Sequence, residues 1–303
     1  MLMSKRESLG RCNLIIQKLR RKPSSFKEIA AFLARESEFQ GYDYNSTQRT
    51  FQRDLEEIRS LFNIDIQYNY SSKVYSIIED ERSDVSSRIL ESFNLFNAFQ
   101  QTERIANHVH FEERRPQGAE HLSGCMHAIS NRKITTFSYL KFWQDTPRTR
   151  RVAPLALKEF KSRWYLIALD LDDDNKLKTF GLDRISELHF LRETFEKPVN
   201  FNVTEQFRYC FGVINEADKK PQNIVLSFTP FQGKYILTMP LHHSQEILID
   251  NEKELRIKLN MLTTHDFLME LLHYGDQVKV LEPESLVNTI KKELEKAIRH
   301  YSN

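Results

Sequence analysis

Glycine is scarce in this chain, with eight in 303 residues. None falls into GxGxxG or GxxxxGKS/T, so no glycine-rich loop is present to cradle a phosphate chain with its backbone amides. HExxH, paired CxxC and GxSxG are missing too, which removes the common signatures of zinc and serine hydrolases and of zinc ribbons. Cys12, Cys125 and Cys210 are the only cysteines; scattered and odd in number, they fit reduced thiols in a cytoplasm, packed as small core residues. No apolar run approaches the roughly 20 residues that span a bilayer. The N-terminus is basic and lacks the apolar core of a signal peptide, so neither membrane nor secretion is expected. The acidic run LDLDDDN lacks the glycine and terminal glutamate of a calcium loop and reads as a solvated turn. His242-His243 has no third ligand at a metal spacing, so no metal and no cofactor are expected.

Hydrophobic residues make up 40% and charged residues 28%, the balance of a globular protein long enough for several domains. The net charge is only +2, but it is unevenly spread. Residues 1–78 hold 13 Lys/Arg against 9 Asp/Glu, residues 79–120 hold 5 against 9, and Lys141–Arg163 holds 7 against 2. Such a distribution permits nucleic-acid binding at the N-terminus and around residue 150 without requiring it.

In the first eighty residues Leu9, Cys12, Ile16 and Leu19 recur at helical spacing, and Ser24 or Ser25 can cap a second helix. A third helix is expected through TQRTFQRDLEEIRSLF, capped by Asn45 or Ser46, with Phe51, Leu55, Ile58 and Phe62 as its apolar stripe. Gln48, Arg49, Gln52 and Arg53 then lie in the first turns, with Arg49, Gln52 and Arg53 away from that stripe. Their forked donors match base edges and phosphates. IDIQYNY and KVYSII read as a hairpin with Lys73 near its tip. Three helices and a wing make a winged helix-turn-helix, whose candidate DNA contacts are Asn45, Ser46, Gln48, Arg49, Gln52, Arg53 and Lys73. A small helical domain with a solvated polar face is the plainer alternative.

Residues 81–117 read as a helical connector followed by a linker. Phe93, Phe96, Phe99 and Phe111 need burial there, against the same chain or against a second copy in a homodimer. Residues 118–200 read as a small SH3-like β-barrel, with KITTFSYLKF, RTRRVAPLAL and RWYLIALD as strands and Pro154 ending a strand or marking an edge. Residues 201–303 alternate between strand and helix patterns, an α+β extension with a last amphipathic helix carrying Leu286, Ile290, Leu294 and Ile298. The fold class is therefore α+β and multidomain.

Arg150-x-Val152-x-Pro154, the triplet Trp164-Tyr165-Leu166 and Phe180-x-Leu182-Asp183-Arg184-Ile185 together resemble the WYL-domain family. TQRTFQRDLEEI resembles the recognition helix that precedes the domain in that family, and the last hundred residues resemble its C-terminal extension. The resemblance implies a bacterial transcriptional regulator whose operator binding responds to a nucleic-acid or nucleotide-like anion. Carried over by position, it implies ligand-binding roles for Tyr139, Arg150, Tyr165 and Arg184, with Ser138 and Arg163 as weaker candidates and Arg148 or Arg151 as a substitute for the family cation that Gly181 lacks. Gly181 departs from the family, which commonly has Arg directly after the Phe.

Chemistry points the same way for the cations, since guanidinium forks onto phosphate and aromatic rings stack on bases. The expected partners are double-stranded operator DNA, an anionic effector and a second copy of the chain. No general base is placed beside these groups, so no catalysis is expected. The alternative is a nucleotide-acting enzyme or an accessory subunit of a nucleic-acid-processing system.

Overall fold

The computed structural model describes residues 5–78, 118–216 and 218–301. The expected connector helix between Val85 and Val109, with its phenylalanines, lies outside them. The chain divides into two compact units, Met1–Glu113 and Arg114–Asn303.

The first unit runs α1 (Lys5–Arg21), α2 (Phe26–Gln40), α3 (Gln48–Phe62), β1 (Asp65–Asn69) and β2 (Val74–Ile78). Ser25, not Ser24, caps α2, in a reciprocal box with Glu28 that satisfies two orphan N–H groups. The cap of α3 is Thr47 rather than Asn45 or Ser46. Thr47 is extended, and its hydroxyl accepts the Thr50 N–H. Asn45 is instead turned onto Asp43, and the Ser46 hydroxyl donates to the Thr47 carbonyl. Phe51, Ile58 and Phe62 enter one core with Cys12, Ile15, Ile29, Leu33 and Tyr75, while Leu55 packs at its margin. In the hairpin, Asn69 accepts the N–H groups of Ser71 and Ser72, and Lys73 turns the chain at φ 57°. Ser24 and Tyr75 exchange two backbone hydrogen bonds, which tie the hairpin to the start of α2.

The second unit opens with a 3-10 turn at Ala119–His121 and α4 (Leu122–Ser130), a helix at the start of the stretch read as a β-barrel. The buried residues of α4 are Cys125 and Ala128. Five strands follow: β3 (Lys133–Tyr139), β4 (Arg148–Phe160), β5 (Arg163–Asp170), β6 (Lys176–Gly181) and β7 (Ile185–Thr194). All pairings are antiparallel, in the order β6-β5-β4-β3-β7. Pro154 does not end β4; β3 pairs only as far as Val152, and β4 continues past it beside β5 through a bulge after Pro154.

No pairing closes β6 onto β7 among the described residues, so the expected closed barrel is not found. The sheet is nonetheless rolled. A flat sheet of five strands is about 19 Å wide, whereas the link from Gly181 to Ile185, through a 3-10 turn at Leu182–Arg184, reaches at most about 14 Å. Phe137, Tyr139, Val152, Leu166, Ala168 and Phe180 fill its concave side.

After a single helical turn, α5 (Val203–Gln206), comes a second sheet of β8 (Gln222–Phe228), β9 (Glu246–Asp250), β10 (Leu255–Met261) and β11 (Val278–Glu282), in the order β11-β8-β10-β9. It packs with α6 (Pro230–Thr238), α7 (His265–His273) and α8 (Glu284–Arg299) around Leu226, Ile257, Leu259, Phe267 and Leu271. Only the first turns of α8 join this core. Leu286 is buried and Ile290 packs against it, but Leu294 and Ile298 of the expected stripe are exposed.

Candidate nucleic-acid and ligand sites

The N-terminal candidate site is built on α3. Its inner side holds Phe51, Ile58 and Phe62, and also an ion pair: Arg11 of α1 grips Asp54 at 2.6 and 2.7 Å, both side chains fully buried. With that side fixed, Gln48, Arg49, Gln52 and Arg53 are exposed on the first two turns. Gln52 donates to the Tyr75 hydroxyl at 3.4 Å. Arg49 and Arg53 have no ion pair or hydrogen-bond partner among the described residues. Lys73 is exposed in the hairpin turn, Asn45 is exposed but occupied by Asp43, and Ser46 is partly covered. Tyr70, exposed beside Lys73 and edge-on to Tyr68 at 5.0 Å, is an addition that sequence reading had not singled out.

The second candidate site lies where the rolled sheet stays open. Gly118, at φ 96°, sets the Leu182–Arg184 turn in place: a Cβ there would stand 2.3–2.4 Å from the Leu182–Asp183 peptide. His121 adds a 3.0 Å hydrogen bond to the Ile185 carbonyl. The N–H of Gly181, at the end of β6, donates to the Tyr139 hydroxyl of β3 at 3.2 Å and so bridges the seam with a side chain. Arg184 lies over two rings, 5.2 Å from the centre of Tyr139 and 4.8 Å from that of Phe142. Asp183 holds Arg163 by one oxygen at 2.5 Å and approaches Arg184 Nε with the other at 3.8 Å. Two guanidinium groups thus share one carboxylate, and Arg184 Nε is buried without a hydrogen-bond partner among the described residues. Burial raises the phenol pKa values of Tyr139 and Tyr165, so both are neutral donors at ordinary pH.

Of the sequence candidates, Tyr139, Arg163, Tyr165 and Arg184 are brought together here. Arg148 stands opposite Tyr139 in the β3–β4 register, exposed and without an ion pair among the described residues. Arg150 is turned to Asp170 at 3.3 Å, a buried carboxylate that also takes Lys178 at 2.8 Å. Ser138, by strand alternation, lies on the opposite face of β3 from Tyr139. Sequence reasoning missed Phe142 and Trp143, which are 72% and 75% exposed in the loop after β3. An adjacent aromatic pair beside Lys141 in LKFWQD was the available signal. Gly181 also gains a physical role. A Cβ there would meet Asp183 Oδ1 at 2.6 Å and the Arg184 guanidinium at 2.8 Å, so these groups occupy the space that a side chain at 181 would need.

One trio of possible metal ligands is found among the described residues, Cys12, Asp54 and Glu57, and it does not fit an ion. Arg11 holds both Asp54 oxygens, Ser8 donates to Glu57, and burial pushes the Cys12 thiol pKa up, keeping it protonated.

With this geometry in view, comparison identifies the domains. A model of the WYL domain matches residues 120–190, and a model of the WCX domain matches residues 220–298. The chain therefore contains a WYL domain, and the C-terminal extension expected from the sequence is a WCX domain. Among solved structures the chain is similar to "Proteasome accessory factor B/C (PafBC) of Arthrobacter aurescens", with 18% identity and a TM-score of 0.34 over 95% of this chain. It spans 46% of that protein's length. It is also similar to "Crystal structure of a CRISPR Cas-related protein", with 12% identity and a TM-score of 0.39 over 85% of this chain and 74% of that one. No curated protein matches it. No helix of the described residues is long and apolar enough to cross a membrane.

Proposed function

We propose that this chain is a DNA-binding transcriptional regulator, with residues 1–80 acting as a winged helix-turn-helix and the WYL domain sensing an anionic, nucleic-acid or nucleotide-like effector. One observation carries the reading: Arg49 and Arg53, with Gln48 and Gln52, project from a helix whose other side is locked by the buried Arg11–Asp54 pair. A rigid helix presenting forked donors from its first turns suits the major groove. Lys73 and Tyr70 at the hairpin turn would meet the flanking backbone or minor groove.

The seam of the WYL sheet supports the effector half of the reading. Arg163, Arg184 and Arg148 outnumber Asp183, and Phe142 and Trp143 offer exposed ring faces beside them. Cations next to exposed aromatic rings suit a single-stranded oligonucleotide, whose bases each gain roughly 1–3 kcal/mol from stacking. Such a ligand alters operator affinity only by binding two states of the protein unequally. A homodimer reading two half-sites completes the proposal. The test is selection of bound fragments from the source genome with and without short single-stranded DNA. Enrichment of one duplex motif that the oligonucleotide changes supports the reading; no enrichment at low salt rejects it.

A further inference from the structure

The second unit holds a cavity away from the seam. It has a volume of about 550 Å³, within the range of roughly 300–1,000 Å³ typical of small-molecule sites. Lys158, Val203 and the buried Phe207 line it with the backbone of β4 at Leu157, and Glu205, Arg208 and His243 are exposed around it. The lining comes from three places: β4 of the WYL domain, the segment around α5, and the WCX domain, to which His243 belongs. An occupant would therefore touch both domains at once.

Lys158 is the unusual member. Its Nζ lies 4.8 Å from the centre of the Phe207 ring, and among the described residues it has no hydrogen bond and no ion-pair partner. Asp266, whose charge it feels, spends Oδ2 on the N–H groups of Val213 and Ile214 at 2.8 and 3.1 Å. Burial lowers the Lys158 pKa, the mark of a cation the protein does not neutralise. At the rim, Arg208 reaches Glu205 only at 3.4 Å, an exposed pair that a better anion could replace. A desolvated ammonium without a counter-ion is costly, and an anion entering the cavity would turn that cost into a charge-assisted hydrogen bond. The apolar Val203 and Phe207 beside Lys158 ask for more than a bare inorganic ion.

We propose that this cavity binds a small organic anion, a carboxylate or phosphate monoester with an aromatic or aliphatic body, held by Lys158 below and Arg208 at the rim. The site is separate from the seam but close to it. Lys158, Tyr165 and Gly181 stand in register across β4, β5 and β6, which sets two strand spacings, about 10 Å, between the cavity and the end of β6 where Arg184 folds. Tyr165 lies between the two.

Calorimetric titration of the full chain with phenyl phosphate, benzoate and inorganic phosphate tests this. Phenyl phosphate or benzoate should bind, and inorganic phosphate at least tenfold more weakly. Lys158→Met should weaken the organic anion at least tenfold, Lys158→Arg should restore it to within threefold, and Arg184→Ala should change it less than twofold. Should Lys158→Met not fold, Arg208→Gln at the exposed rim gives the same reading through a loss of at least threefold. The proposal is overturned if neither organic anion binds, if neither Lys158→Met nor Arg208→Gln weakens binding, or if Arg184→Ala abolishes it. The proposal does not depend on the regulator reading, whose tests use duplex and single-stranded DNA.

Discussion

Arg11 and Asp54, on α1 and α3, meet through two hydrogen bonds of 2.6 and 2.7 Å with no exposure to solvent. A pair this buried gains little over well-packed apolar residues, but losing one partner strands the other's charge. Asp54→Asn is therefore expected to destabilise the first unit by about 3–5 kcal/mol. Arg11→Met with Asp54→Leu should cost less than either single change. Urea unfolding followed by circular dichroism measures both. Tryptophan fluorescence is a built-in control, because Trp143 and Trp164, the only tryptophans, belong to the second unit. A double variant as unstable as the sum of the singles would mean the two residues act separately.

Arg49 and Arg53 face solvent and, among the described residues, hold no other partner, so removing them should disturb only what they bind. Arg49→Ala and Arg53→Ala are each expected to leave the unfolding curve within about 0.5 kcal/mol of the parent. Binding to a selected duplex should weaken. A residue on phosphate would lower the slope of log affinity against log salt by about 0.9, whereas one on a base edge would cost about 1–3 kcal/mol at one sequence position. Unchanged affinity and slope in both variants would remove α3 as the reader of DNA.

Gly181 leaves no room for a side chain, because Asp183 and Arg184 occupy the space a Cβ would need. Gly181→Ala should push the Arg184 guanidinium off Tyr139 and Phe142. If the seam binds oligonucleotides, Gly181→Ala and Arg184→Ala should weaken a fluorescent single-stranded probe to similar extents, by about 0.5–2 kcal/mol for a lost cation–π arrangement. The double variant should be no weaker than Arg184→Ala alone, because both changes remove the same contact. Additive losses would show that Gly181 does not act through Arg184.

How far the sequence revealed this molecule depended on how local each feature is. The helices and hairpin of the first unit follow from apolar spacing and turn residues, and their order was legible. The cap of α3 was not, because Asn45, Ser46 and Thr47 are all competent caps and only the chain's path from Tyr44 into the core selects Thr47. Asp54 was hidden for a related reason: a carboxylate within an amphipathic helix reads as surface until its distant partner Arg11 is known. In the WYL sheet, strand alternation puts Tyr139 and Ser138 on opposite faces of β3. Sequence alone could not tell that β6 and β7 would meet across an unpaired seam, where Arg184, Phe142 and Asp183 converge. Arg150 and Arg184 looked equivalent on paper, and their nearest carboxylates, Asp170 and Asp183, distinguish them.

The histidine doublet carries a prediction about acidity. Burial, with a smaller push from His243 stacked at 4.0 Å, lowers the His242 pKa from its ordinary value near 6.5 to about 4. His242 Nδ1 lies 2.8 Å from the Ser244 hydroxyl and 3.3 Å from the Ser244 N–H, and a backbone hydrogen bond with Arg208 offsets only part of the shift. Between pH 6.5 and 4 the unfolded chain takes up a proton here that the folded chain refuses. Stability from this residue is therefore full above about pH 6.5 and is lost as pH falls, by no more than about 1.4 kcal/mol per unit. His242→Asn keeps an acceptor for Ser244 and cannot be protonated. Its thermal midpoint should lie furthest below the parent's at pH 7, and the gap should narrow steadily as pH falls to 4.5. Repeating the comparison in a His243→Gln background removes the neighbouring charge and should leave most of the narrowing, because burial is the larger cause. A gap that stays constant across that range would mean His242 is protonated equally in the folded and unfolded chain, and that its burial does not hold it neutral.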